Sequence, residues 1–146
     1  MAWRPKLLVL DEPTVGLDAI AKQAVFAELL AAVRDEARTV FISSHAISDL
    51  ERFADHVAMI KDGRVLFEGA TDEVVERYRM VEIVAEQPLD ISTLPGVRVQ
   101  QHDGDRWRAL VDLNHMPVSR LAQQGAMPIA DAPVSLEELF VALGRP

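Results

Sequence analysis

Residues 7–18 read LLVLDEPTVGLD, a short apolar run that ends in two adjacent carboxylates and a loop closed by Asp18. The first four residues do not alternate between apolar and polar, which predicts a strand covered on both faces in a parallel sheet. Residues 19–34 then repeat their apolar side chains at helical spacing, and Asp18 stands where an N-cap residue is favoured. The stretch therefore predicts a strand, a loop and an amphipathic helix in succession.

A second β-branched and aromatic run follows this helix and ends at Ser43. Two strands joined through a helix are expected to be parallel and to finish at the same edge of a sheet. The acids Asp11 and Glu12 should therefore lie beside Ser43, Ser44 and His45. Ligands of open α/β sheets bind at this edge.

The remainder of the chain predicts shorter elements. A short helix over residues 46–53 precedes a hairpin that turns at Asp62-Gly63, and Thr71 is expected to cap a further helix. From residue 80 onward, short strands, prolines and polar turns predict a small α+β region. It closes with a helix that begins at a capping box formed by Ser135 and Glu138.

Composition restricts the classes of function. The 146 residues include 15 basic and 23 acidic side chains, a formal charge of -8 that disfavours nucleic acid as a partner. The absence of cysteine removes disulfides and thiolate metal sites, and a cytoplasmic location is the expectation. No apolar run approaches the roughly 20 residues of a membrane helix, so a role at a membrane should depend on a partner.

An apolar strand that ends in two acids can equally be a helix cap or a solvated acid pair. The longer sequence is more specific. Residues 7–18 resemble the Walker B strand and D-loop of ABC transporter ATPases, and SSH at residues 43–45 is similar to the segment that carries the switch histidine of that family. The resemblance continues through DHVAMIKDGR at residues 55–64 and through SLEELF at residues 135–140, which is similar to the end of many exporter-type subunits.

This resemblance implies an α/β fold in two parts. Residues 1–79 would be the C-terminal half of a nucleotide-binding domain with a partial parallel sheet, truncated at its N-terminal half. Residues 80–146 would be a small α+β C-terminal extension.

The resemblance also implies a role for each site residue. Asp11 would contact Mg²⁺, Glu12 would act as the general base on the attacking water, and His45 would contact the γ-phosphate of ATP. Asp18 would lie in the loop that crosses to a second subunit. The alternative interpretation is a pair of surface acids and a surface histidine. Adjacent carboxylates repel each other, however, and a bound cation relieves that repulsion.

The sequence contains no G-x-x-x-x-G-K-[ST] phosphate loop and no Leu-Ser-Gly-Gly-Gln signature. The phosphate loop provides most of the grip on the β- and γ-phosphates. ATP and Mg²⁺ are therefore expected to bind only when a complementing segment supplies this loop. The chain alone is expected to be inactive, so its assignment as an ATPase rests on the family.

The expected function is that of an ATP-binding and ATP-hydrolysing subunit of an export-type ABC transporter. Its partners would be a membrane-spanning subunit and a second ATPase subunit, with a homodimer expected. It would lie in the cytoplasm, held at the inner face of the membrane through its partner. One alternative is a non-catalytic fragment for dimerisation or regulation, and another is a fragment of a chromosome-maintenance ATPase. Pro13-Thr14 and the tail at residues 135–140 favour transport.

Overall fold

The computed structural model describes residues 5–36, 38–85 and 89–144, which form a mixed α/β fold in two compact units. The first unit extends to Phe53, and the second begins at Ala54. The boundary predicted between residues 79 and 80 falls inside a strand of the second unit, Tyr78–Ala85. The domain division drawn from the family resemblance stays a prediction.

The described residues of the first unit, 5–36 and 38–53, form two parallel strands and two helices. Strand β1 (Leu7–Asp11) is followed by helix α1 (Ala19–Glu36), strand β2 (Thr39–Ser43) and helix α2 (Ile47–Phe53). Strands β1 and β2 pair in parallel over their whole length. The strand, helix and parallel strand predicted from the sequence are confirmed.

Side chains from both helices hold this unit together. Phe26 of α1 is buried, and its ring stacks on that of Phe53 in α2 with the centroids 4.3 Å apart. Lys22 forms an ion pair with Asp49 of α2 at 3.3 Å. Burial of an aromatic pair of this kind stabilises the contact through its large apolar area.

The prediction that β1 is covered on both faces is wrong within this unit. Leu7 and Val9 expose 56% and 65% of their surface, and Phe41 of β2 exposes 64%. Leu8 and Leu10, which point to the opposite face, are half-buried. Exposure alternates with the period of two that a strand imposes, so one face of the pair is packed and the other is open.

The second unit begins with an antiparallel hairpin of β3 (His56–Lys61) and β4 (Arg64–Ala70). Asp62 and Gly63 at its turn both have positive φ, 51° and 73°, as a type I′ turn requires. The hairpin predicted at this dipeptide is confirmed.

Helix α3 (Thr71–Arg77) follows β4 without a loop. The prediction that Thr71 is the N-cap is wrong, because the strand runs directly into the helix and Ala70 occupies the cap position. Thr71 is instead the first helical residue, and its hydroxyl donates to the carbonyl of Ala54.

Four antiparallel strands form the main sheet of the second unit. They are β5 (Tyr78–Ala85), β6 (Val97–Asp103), β7 (Arg106–Asp112) and β8 (Ala126–Pro133), arranged in the order β6-β7-β5-β8. The sequence did not predict β8, which contains two prolines. Proline lacks a backbone donor, but an edge strand tolerates it because one side of the strand is unpaired.

Helix α4 (Val118–Gln123), helix α5 (Leu136–Gly144) and a 3₁₀ turn at Ile91–Thr93 complete this unit. A cluster of buried apolar side chains forms its core: Val81, Ile83, Ile91, Val97, Ala109, Val111, Met116, Leu121 and Ala126. Within the described ranges, no helix combines the length and the hydrophobicity needed to cross a bilayer.

Helix α5 has the predicted capping box at its start. The amide of Glu138 donates to Ser135 Oγ at 3.2 Å, and the amide of Ser135 donates to Glu138 Oε2 at 3.0 Å. At the other end, Lys61 Nζ donates to the carbonyl of Gly144. A cation at this end complements the helix dipole.

A partly buried ion pair joins α3 to the end of β7, with the side chain of Asp112 11% exposed and that of Arg77 38% exposed. Arg77 Nε and Nη2 donate to the two carboxylate oxygens of Asp112 at 2.9 and 2.6 Å. His115 Nδ1 and the amide of Asn114 lie 3.0 and 3.1 Å from the same carboxylate. Burial alone would raise the pKa of Asp112, but these hydrogen bonds outweigh it and hold the pKa below its ordinary value.

We expect Asp112→Asn to lower the free energy of unfolding by about 1 to 3 kcal/mol at pH 7, since it removes a charge-assisted bond and leaves Arg77 unpaired. The native pKa of Asp112 is depressed, so its contribution is complete above the unfolded pKa, near 4, and is lost as the pH falls through the native pKa. Urea denaturation at several pH values measures this difference.

Asp131→Asn is the matched control, because Asp131 also pairs with an arginine but its side chain is 44% exposed. The control should change stability by less than about 1 kcal/mol. Equal losses in the two variants, or a loss for Asp112→Asn that does not diminish in acid, would contradict the role given to the pair of Arg77 and Asp112.

Candidate functional site

The carboxyl ends of β1 and β2 bring the predicted acids and histidine together. Asp11 is the last residue of β1 and is paired in register with Ser43, the last residue of β2. Glu12 and His45 follow these strand ends, and His45 Nδ1 lies 2.8 Å from Glu12 Oε1. The side chains expected to meet at this edge are therefore neighbours in the first unit.

Ser43 connects the two strand ends. Its hydroxyl donates to Asp11 Oδ1, and its carbonyl accepts from the amide of Glu12 at 3.0 Å. Glu12 has a positive φ of 48°, a conformation that costs a side-chain-bearing residue free energy and is usual for glycine. The hydrogen bonds from the end of β2 help to hold Glu12 in this conformation.

Ser44 completes the contacts of the Glu12 carboxylate. Its hydroxyl donates to Glu12 Oε2 at 3.4 Å and accepts from the amide of Ala46 at 3.1 Å. Each carboxylate oxygen of Glu12 thus has a partner, His45 on one side and Ser44 on the other. The sequence predicted that Ser43 and Ser44 lie at this edge, but it did not predict a function for either serine. Only the register of the strands shows which acid each serine contacts.

The edge is open to solvent. Asp11 is exposed, the side chain of His45 is 78% exposed and that of Glu12 is 33% exposed. A ligand can therefore reach all three groups. Nε2, the ring nitrogen of His45 on the far side from Nδ1, makes no hydrogen bond among the residues that the structure describes.

The side chains at this edge include only some of the oxygen ligands that a hard cation needs. The carboxylate oxygens of Asp11 are ligands of the kind that Mg²⁺ prefers. Over the described ranges, however, no group of three or more His, Asp or Glu side chains is placed to hold a metal ion. These residues fit Mg²⁺ only in its usual mode, in which one or two carboxylates bind the ion and water or phosphate supplies the remaining oxygens.

Asp18 lies at the start of α1, apart from the contacts that join Asp11, Glu12 and His45. Its Oδ1 accepts from the amide of Ala21 at 2.8 Å, the geometry of a helix N-cap. The capping interpretation made from the sequence is confirmed, and the role of Asp18 at a subunit contact stays a prediction.

Several known proteins are similar to this chain. A Nod factor export ATP-binding protein I from Rhizobium etli is 27% identical over 144 residues, which cover 95% of this chain and 45% of that protein. A bacitracin transport ATP-binding protein from Bacillus licheniformis is 40% identical over 75 residues, which cover 51% of this chain and 24% of that protein. A lantibiotic transport ATP-binding protein from Streptococcus pyogenes is 43% identical over 68 residues, which cover 47% of this chain and 29% of that protein.

The chain spans about half the length of the curated relatives that it matches along nearly its whole length. No protein-family model matches it. The relatives are ATP-binding proteins of export and transport systems, in agreement with the resemblance given by residues 7–18 and 43–45.

We expect Asp18→Ala to lower the free energy of unfolding of the chain by about 1 kcal/mol, since the amide of Ala21 loses its acceptor at the first turn of α1. Asp18→Asn is the matched control, because asparagine caps about as well without the charge. Urea denaturation measures both variants. A loss in Asp18→Asn as large as that in Asp18→Ala would show that the charge of Asp18, and not its cap, stabilises the helix.

Proposed function

We propose, on the premise that this chain is homologous to the ATP-binding proteins of ABC exporters, that it forms the hydrolytic edge of a subunit that couples ATP hydrolysis to export. The single observation that carries the proposal is the 2.8 Å contact between Glu12 and His45 at the carboxyl ends of two parallel strands. Phosphate ligands of α/β folds bind at such an edge.

Glu12 is proposed as the general base. A carboxylate in this position can accept a proton from water as that water attacks the γ-phosphate. His45 and Ser44 hold the two oxygens of this carboxylate, which fixes the direction in which it accepts the proton. Orientation of this kind contributes to the rate because the base must lie in line with the attacking water.

His45 and Asp11 are proposed to bind the substrate. When both ring nitrogens of the exposed His45 carry a proton, Nε2 can donate to the γ-phosphate while Nδ1 donates to Glu12. Asp11 would hold Mg²⁺, whose charge offsets that of the phosphates when it is bound. The hydroxyl of Ser43 keeps the Asp11 carboxylate turned toward the end of β2.

The open face of β1 and β2 offers an apolar surface for the complementing segment that would carry the phosphate loop. Leu7, Val9 and Asp11 share one face of β1, since strand residues alternate, and Phe41 and Ser43 share the same face of β2. A segment that buried the apolar residues of this face would extend directly to Asp11. Burial of the three apolar side chains would contribute up to about 2 kcal/mol each, since each is already partly covered.

The proposal extends to partners and location. The whole subunit would dock on a membrane-spanning subunit at the inner face of the membrane and would pair with a second ATPase subunit, with Asp18 and its loop in the contact between them. The export and transport functions in the names of the relatives favour this arrangement over a chromosome-maintenance role.

We expect the 146-residue chain alone to bind ATP weakly, because its sequence contains no phosphate loop and the described residues at the ends of β1 and β2 include no lysine. Calorimetric titration with Mg-ATP measures this affinity. A dissociation constant in the micromolar range would contradict the need for a complementing loop. Titration with Mg-ADP separates contacts to the γ-phosphate from contacts to the rest of the nucleotide.

We expect ATPase activity to appear when the chain is mixed with a separately prepared N-terminal half of a related subunit. Glu12→Gln should reduce this activity about a hundredfold or more, because it removes the proposed base while it keeps the size of the side chain. Phosphate release measures the rate. Glu28→Gln, which changes an exposed acid of α1, is the matched control and should retain full activity.

Binding of the two halves is measured separately by sedimentation. Halves that associate and hydrolyse ATP equally well with Glu12→Gln would refute the role of Glu12. Halves that associate and bind ATP without any hydrolysis would refute the proposed hydrolytic function.

A further inference from the structure

The second unit contains a groove of about 660 Å³ on its four-stranded sheet. This volume lies in the range of small-molecule sites. The side chains that matter for its chemistry are Glu82, Gln101, Asp103, Arg106, Arg108 and Ile129. None of them takes part in the proposed hydrolytic site.

Strand geometry places two arginines together in this groove. Arg106 and Arg108 are two residues apart on β7 and therefore share one face of the sheet. Glu82 and Gln101 are the register partners of Arg108 on the neighbouring strands, and Asp103 is that of Arg106. The pairing of β6 with β7 and the pairing of β5 with β8 each have an irregular register close to these residues, whereas β5 pairs regularly with β7. Such irregularities bend the strands that contain them.

Both guanidinium groups are available to a ligand. Across residues 5–36, 38–85 and 89–144, neither Arg106 nor Arg108 forms an ion pair or a side-chain hydrogen bond, whereas Arg77 and Arg79 each hold a carboxylate. A guanidinium offers five donors in a planar fork that matches a carboxylate, sulfonate or phosphate.

The charge of the groove limits the size of the anion. The two arginines are balanced by Glu82 and Asp103, so these four groups have no surplus positive charge to offset the additional charges of a polyanion. Ile129, which is 50% exposed, adds an apolar surface beside the polar groups. The combination suits a molecule with one anionic group and an apolar body.

We propose that this groove binds a small amphipathic anion, with its charged group held by Arg106 and Arg108 and its apolar part against Ile129. This site is separate in its residues from the proposed ATP edge and does not depend on it. An exported compound, a regulator or a lipid headgroup could supply such chemistry, and we assign the site to a free molecule because the arginines lie in a groove flanked by acids.

Dodecanoate, used below its micellar concentration, is the probe. Trp107 lies between the two arginines in sequence and borders the groove, and the chain has only one other tryptophan, Trp3. In a Trp3→Phe background, we expect dodecanoate to change the fluorescence of Trp107 with a saturable curve. Dodecyl maltoside, which has a similar chain without charge, should bind at least about tenfold more weakly because it lacks the charge-assisted bonds.

Substitutions then test the residues. Arg106→Gln combined with Arg108→Gln should weaken dodecanoate binding about tenfold or more, and Glu82→Gln should strengthen it, because Glu82 repels the anion. Arg120→Gln, which changes an exposed arginine of α4, is the matched control and should leave the affinity unchanged. Circular dichroism verifies that each variant is folded. If the double variant does not fold, the single substitutions Arg106→Gln and Arg108→Gln, together with Glu82→Gln, test the proposed binding site.

Several outcomes would overturn the proposal. They are the absence of a saturable change, equal affinity for dodecyl maltoside, and an equal loss in Arg120→Gln. Binding to phosphatidylglycerol vesicles without binding to free dodecanoate would also overturn it, because the ligand would then be a membrane surface. None of these results depends on ATP hydrolysis, so failure here leaves the proposed function to be judged on its own experiments.

Discussion

The parallel pairing of β1 with β2 is the constraint on which the candidate site depends. The register places Asp11 opposite Ser43, and the two residues that follow Ser43 then reach Glu12. A shift of one residue in this register would turn the side chains of one strand to the other face and separate these groups. The site thus follows from a backbone interaction, and its side-chain contacts are a consequence of that pairing.

The same pairing explains why the first unit has one open face. Two strands have two faces, and alternation sends Leu7, Val9 and Phe41 to one and Leu8 and Leu10 to the other. The open face carries apolar surface of the kind that marks contacts with other segments. Because the strand-end residue Asp11 points to this face, a segment that covered it would also approach the proposed metal ligand.

The second unit is stabilised differently. Its sheet is antiparallel, its core is continuous, and a buried carboxylate at Asp112 joins α3 to β7 through Arg77. The arginines of this unit therefore differ in whether they have an acidic partner. Arg77 has a partner fixed by tertiary packing, whereas Arg106 and Arg108 remain available in a groove. The sequence does not show this difference, because the partner of Arg77, Asp112, lies 35 residues away along the chain.

The sequence determined the elements that local chemistry specifies. These include the strands around Leu7 and Phe41, the N-cap at Asp18 and the turn at Asp62-Gly63, and the resemblance of residues 7–18 indicated the family. Only the tertiary structure decided which acid each serine contacts, that β1 is exposed on one face, that Ala70 rather than Thr71 caps α3, and that a proline-containing β8 joins the sheet. The physical reason is the distance between interacting residues. The N-cap at Asp18 and the turn at Asp62-Gly63 depend on neighbours in the sequence, whereas register, burial and edge pairing depend on residues distant along the chain. The start of α3 belongs with the second group, because the pairing of β4 with β3 continues to Ala70.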